Sequence, residues 1–124
     1  MTDARMSLYR DSLRVLSEIA EAGPFIADSA WCCFHFLTVD EDEGRWEEAV
    51  QIAGPLFDAL PFEQKVDYIS EYIGIEAWEN LIPDRRWVED RLPRMFEIAD
   101  ASGLNFVGWT FEPLEPRRIF QASP

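Results

Sequence analysis

Along the first stretch of the chain, Tyr9, Leu13, Leu16 and Ala20 form one apolar stripe, with Leu8, Val15 and Ile19 beside it. That spacing predicts an amphipathic helix over residues 2–22, stopped by Gly23-Pro24. Periodicity then gives way to a continuous apolar run, AWCCFHFLTV at residues 30–39, rich in aromatic and β-branched side chains and too short to be a stable helix alone. It predicts a strand buried on both faces and therefore central in its sheet. Trp31, Cys33, His35 and Leu37 fall on one face, and Cys32, Phe34 and Phe36 on the other.

Helical spacing returns after the acidic loop DEDEG, residues 40–44, in a helix expected from Arg45 with Trp46, Ala49, Val50 and Ala53 on its apolar side. Gly54-Pro55 breaks or kinks it, and a further turn carries on to Leu60. Residues 61–82 hold two patterns at once. Phe62, Val66, Ile69 and Ile73 have helical spacing, whereas Val66, Tyr68, Ser70 and Tyr72 alternate as a strand would. We read the segment as helix, with strand as the alternative. Pro83-Asp84 opens another helix with Val88, Leu92, Met95, Phe96 and Ala99 in one stripe, Pro93 bending or restarting it and Gly103 ending it. Residues 104–113 form a second strand with Val107, Trp109 and Phe111 on one face, and 113–124 a proline-broken tail whose Ile119 and Phe120 return to the body. The order implies one α+β domain over 1–124, its helices packed on one face of a small, mainly antiparallel sheet.

Charge narrows the function classes. Twenty-four acids stand against 11 Lys and Arg, a net charge of −13. Such a chain repels phosphate backbones and anionic lipid, so neither nucleic acid nor membrane is expected as a direct partner, and a basic protein surface is. The acids are unevenly placed: Asp40, Glu41, Asp42, Glu43, Glu47 and Glu48 fall within nine positions, opposed only by Arg45 and surrounding Trp46. A tryptophan rimmed by charge has the composition of a binding hot spot; the same Trp46 on the apolar side of its helix is equally compatible with a place in the core. Those seven residues, Asp40 to Glu43 with Trp46, Glu47 and Glu48, are the expected protein-binding patch. No apolar stretch is long enough to span a membrane, the first residues lack a signal core, and adjacent Cys32 and Cys33 make a poor disulfide. A reduced, cytoplasmic protein is expected.

Catalytic equipment is sparse. His35 is the only histidine, and Cys33 shares its strand face, so a thiolate–imidazole pair or half a metal site is the one nucleophilic arrangement to weigh against a histidine simply held by a hydrogen bond. Asp40, Asp42 and Gly44 resemble the start of a calcium loop, but the required sixth-position glycine and twelfth-position glutamate are Arg45 and Gln51. Gly-rich phosphate loops are absent. The sequence calls for no cofactor, no metal and no catalytic residue.

Three segments in order, YRDSLRVLSEIAEAG, WCCFHFLTVDEDEGRWEEA and MFEIADASGLNFVGWTFEP with its Gly108-Trp109 pair, resemble the family of regulators of ribonuclease activity that inhibit ribonuclease E (the B type). The resemblance implies a ferredoxin-like α+β fold and inhibition by binding a nuclease, with no catalytic residues. That family has two strands where residues 61–82 read here as helix.

The expected function is thus a non-enzymatic acidic protein that binds and inhibits a basic, nucleic-acid-handling protein, as a nuclease inhibitor, an immunity protein or a nucleic-acid mimic. Two other classes stand beside it: a small enzyme built on Cys33 and His35, and a structural subunit whose aromatic surplus forms a homo-oligomer interface.

Overall fold

A computed structural model describes residues 3–21, 31–38, 43–69, 73–81, 83–111 and 118–120. Helix α1 (Asp3–Glu21) is followed by β1 (Trp31–Thr38), α2 (Glu43–Asp58), β2 (Lys65–Ile69), β3 (Gly74–Asn80), α3 (Arg85–Ser102), β4 (Leu104–Phe111) and β5 (Arg118–Phe120). The strands form one antiparallel sheet in the order β2-β3-β1-β4-β5. Within it β1-α2-β2-β3-α3-β4 is the split βαβ arrangement of ferredoxin-like folds, since β3 lies between β1 and β2 and both α2 and α3 bridge strands that are not neighbours. Helix α1 and strand β5 are additions at its two ends. The α+β class expected from the element order is the observed one.

All three helices cover the same sheet face. Phe34 stacks on Trp87 of α3 at 5.1 Å, Phe36 meets Phe57 of α2 edge-on at 5.6 Å, and Phe106 meets Phe96 of α3 at 5.2 Å. From α1, the buried Ser12 hydroxyl accepts a 2.9 Å hydrogen bond from the indole N–H of Trp109 and donates to the Leu8 carbonyl. Arg5 bridges from α1 to Asp100 of α3 and lies over the Phe96 ring. The buried row of α1 is Leu8, Ser12 and Val15, with Tyr9, Leu13 and Leu16 only partly buried along its flank.

Four expectations change. The segment 61–82 carries β2 and β3, not a helix. Its alternation is the physical signal: Ile75, Ala77 and Glu79 face the helices and are buried, while Glu76 and Trp78 between them are only partly so. Immediately before β3, Ile73 takes the left-handed conformation, φ of 50°, that Gly or Asn normally supplies. Strand β1 is central, between β3 and β4, but buried on one face only: Phe34 and Phe36 are in the core, whereas His35 is partly exposed and Leu37 exposed. A bulge at the His35/Phe36 step lets Val107 go unpaired and puts Phe106 and Trp109 on the helix-covered face, so Trp109 does not share a face with Val107. Helix α2 starts at Glu43 and runs through Gly54 and Pro55 to Asp58 without a break.

Helix α3 also continues through its proline, Pro93. Both prolines are on exposed helix faces, and so are Gln51 and Glu89, the residues four positions earlier whose carbonyls lose their usual donor. Asp84 caps α3 by accepting from the Trp87 amide at 2.8 Å, and Gly103, at φ of 78°, closes it. In the tail, Ile119 and Phe120 pair with Trp109 and Gly108 as β5.

Candidate functional site

Helix α2 divides the expected protein-binding patch between core and solvent. Trp46, with Ala49, Ala53 and Phe57 below it, points into the core and is only 8 % exposed, so of its two readings the core one holds. Glu47 and Glu48 are exposed on the opposite side. Asp40, Glu41 and Asp42 lie outside the described residues, and Glu43 opens the helix. The outer face has a second half that the sequence reading passed over. Four and eight residues after Glu48, Ile52 and Leu56 stand 38 % and 36 % exposed, with Pro55 beside them. Glu48 therefore heads an apolar ridge, with exposed Glu47 next to it round the helix. Arg45, within their acidic run, turns instead toward the C-terminal end of α3, its guanidinium near Gly103, where a cation opposes the helix dipole.

Below the C-terminal end of α2 lies a cavity of about 660 Å³, lined by Phe57, Asp58, Phe62, Glu63, Gln64, Lys65, Trp78, Glu79 and Arg91 among others. Its floor is a buried ion pair. Glu79 is on the helix-facing side of β3 and only 2 % exposed. It accepts from the Arg91 Nε at 3.1 and 3.0 Å, from Arg91 Nη2 at 3.0 Å and from the Trp87 indole N–H at 3.1 Å. Each carboxylate oxygen is thereby occupied, as a buried charge requires. Arg91 also bonds Asp90, and its guanidinium lies 3.5 Å above the Phe62 ring. Burial alone would lower the Arg91 pKa, but the hydrogen bonds and charge of Glu79 and Asp90 raise it above its ordinary value. Asp90, held by the Arg94 guanidinium at 2.9 Å and by Arg91, is pulled below the ordinary aspartate value despite some burial. One further polar atom stands out in the wall: the Gln64 amide nitrogen donates to the Phe57 carbonyl at 3.1 Å, while its oxygen is buried with no donor among the described residues.

His35 belongs to the sheet face away from the helices. Its Nδ1 is 3.5 Å from the Glu76 carboxylate, directly across on β3, and both side chains are partly exposed. The side chain of Cys33 lies outside the described residues, so the thiolate–imidazole arrangement is known only as two positions on one strand. Among the described residues no group of three His, Cys, Asp or Glu side chains gathers as metal ligands do. No helix among them is long and apolar enough to cross a membrane.

The Glu79–Arg91–Trp87 network and the cavity above it went unread because they join three elements across the wrongly assigned segment. One signal for them was present: once 74–80 is a strand, Glu79 falls on the same side as Ile75 and Ala77, and an inward acid demands a partner. No protein-family model, curated protein or solved structure matches this chain. Function must therefore be argued from the chain's own surfaces.

Proposed function

We propose that this protein binds, and thereby masks, a basic surface on another protein that handles nucleic acid, acting as an inhibitor without catalysis. The observation that carries the reading is the outer face of α2. Exposed Glu48 leads into exposed Ile52, Pro55 and Leu56, with exposed Glu47 next to it, on a protein of net charge −13. An apolar ridge gives a partner something to desolvate, and carboxylates at its head set register and accelerate encounter with Lys- and Arg-rich surfaces. Asp40, Glu41, Asp42 and Glu43 extend the same acidic run just ahead of the helix. Resemblance to the ribonuclease E inhibitors supports a nuclease as the partner, and the β2–β3 hairpin puts two strands where that family has them. A cytoplasmic setting follows from such a partner.

Affinity capture from the native host, at low salt and again at about 0.5 M, where the Debye length shrinks to a few ångströms, tests the reading. A nucleic-acid-handling protein with a basic surface should be retained at low salt only. The double substitution Glu47→Gln/Glu48→Gln, on exposed positions, should reduce its capture. If neither salt condition yields such a partner while the fold is intact, the proposal fails.

A further inference from the structure

We infer that His35 and Glu76 form a proton-operated clasp at the centre of the sheet, which tightens the β2–β3 hairpin onto β1 as the pH falls below neutral. The two residues are directly opposite in the β1–β3 register, with the imidazole Nδ1 3.5 Å from the Glu76 carboxylate. That is loose for a hydrogen bond from a neutral ring, and attraction to an imidazolium closes it. Their side chains are 25 % and 21 % exposed, so solvent and salt screen them less than a fully exposed pair.

Topology gives the pair its leverage. Strand β1 is central, and β2 is joined to the sheet through β3 alone. Glu76 therefore stands between His35 on one side and Asp67, directly opposite on β2, on the other. While His35 is neutral, two carboxylates face each other across the β2–β3 seam, an arrangement that weakens strand pairing. Lys65, 3.9 Å from Asp67, offsets part of that charge, but it is exposed. A protonated His35 places a cation on the other side of Glu76, and the row Asp67–Glu76–His35 is then balanced at both ends. From β4 the ring meets Gly108 directly across, with Val107 and Thr110 to either side, none of them ionisable. By register the other ionisable positions near it are Cys33, two residues earlier on β1, and Arg118, two strands away on β5. Glu76 and Asp67 favour the charged imidazole while partial burial opposes it, and two carboxylates in one row outweigh that burial. The clasp thus adds stability below the ordinary histidine value of about 6.5 and loses it as the pH rises through neutrality.

His35 is the only histidine, so a single imidazole signal reports on the clasp. In an NMR titration of the full chain, Glu76→Gln should lower the midpoint of that signal by roughly half a pH unit, about threefold in proton affinity. In urea unfolding, His35→Gln and Glu76→Gln should be coupled at about pH 6 and independent at about pH 8, on either side of the ordinary histidine value. The hairpin is read separately, by hydrogen exchange of the β2 amides corrected for the intrinsic change with pH. Their protection should rise from about pH 8 to about pH 6 in the parent chain and stay level in His35→Gln. A midpoint that Glu76→Gln leaves in place or raises overturns the clasp. So does a coupling of equal size at both pH values, which marks a plain packing contact. Equal changes in β2 protection with and without His35 overturn the link to the hairpin. None of these measurements involves the outer face of α2, so their failure leaves the proposed function untouched.

Discussion

Glu79 shows how one side chain can hold three elements. From β3 it binds Arg91 and Trp87 of α3, and through Arg91 it reaches Phe62 in the turn before β2. A buried pair of this kind adds little over a good apolar contact, because desolvation offsets most of the attraction. Breaking it is another matter. Glu79→Ala leaves the Arg91 charge without its bidentate partner and the Trp87 N–H without an acceptor, and should cost about 3–5 kcal/mol in urea unfolding. The double substitution Glu79→Leu/Arg91→Leu should recover most of that loss. A single substitution costing less than about 1 kcal/mol would mean that water reaches the pair. At the same scale, the indole of Trp109 and the hydroxyl of Ser12 make the one buried side-chain bond between α1 and the sheet among the described residues. The Ser12 hydroxyl donates within its own helix to the Leu8 carbonyl, and the position of Trp109, set by the bulge, gives it a donor from the sheet.

At the scale of elements, α2 and α3 each carry an internal proline on an exposed face, where water is at hand for the carbonyl that loses its donor. Tolerance is not neutrality. Pro93→Ala restores an intrahelical hydrogen bond on an exposed face and removes the ring's clash with the preceding turn, which outweighs the greater freedom of the unfolded chain. It should raise stability by about 1–2 kcal/mol, seen as a higher thermal midpoint; a lower midpoint would show that the local bend serves the packing of α3 on β4. The three helices were legible from their apolar stripes, and the inner strands β1 and β4 from short runs rich in aromatic and β-branched residues. The 61–82 segment was not. Phe62, Val66, Ile69 and Ile73 mimic a helical stripe, but they are spread over the turn before β2, β2 itself and the hairpin turn. The usual hairpin signature is missing because Ile73 takes the left-handed conformation that Gly or Asn normally supplies.

For the whole molecule, charge is the dominant property. A compact body carrying a net −13 repels itself, and added salt screens that repulsion while leaving the buried Glu79–Arg91 pair largely untouched. The thermal midpoint should therefore rise by a few degrees between about 0.01 and 0.5 M sodium chloride, even as partner capture falls. A midpoint that drops with salt would mean that surface ion pairs such as Arg85–Glu89 outweigh the net repulsion.

By itself the sequence determined the α+β class, the excess of acid and the crowding of carboxylates ahead of Trp46, because composition and local periodicity need no knowledge of what lies across the fold. Tertiary structure alone decided which distant residues each apolar face meets and which polar side chains are buried with it. It turned Trp46 into the core and left Glu47 and Glu48 at the surface above Ile52 and Leu56. It likewise buried Glu79 against Arg91 and opened a cavity beside the 61–64 turn. Burial and pairing are relations between distant residues, and a local pattern has no term for them.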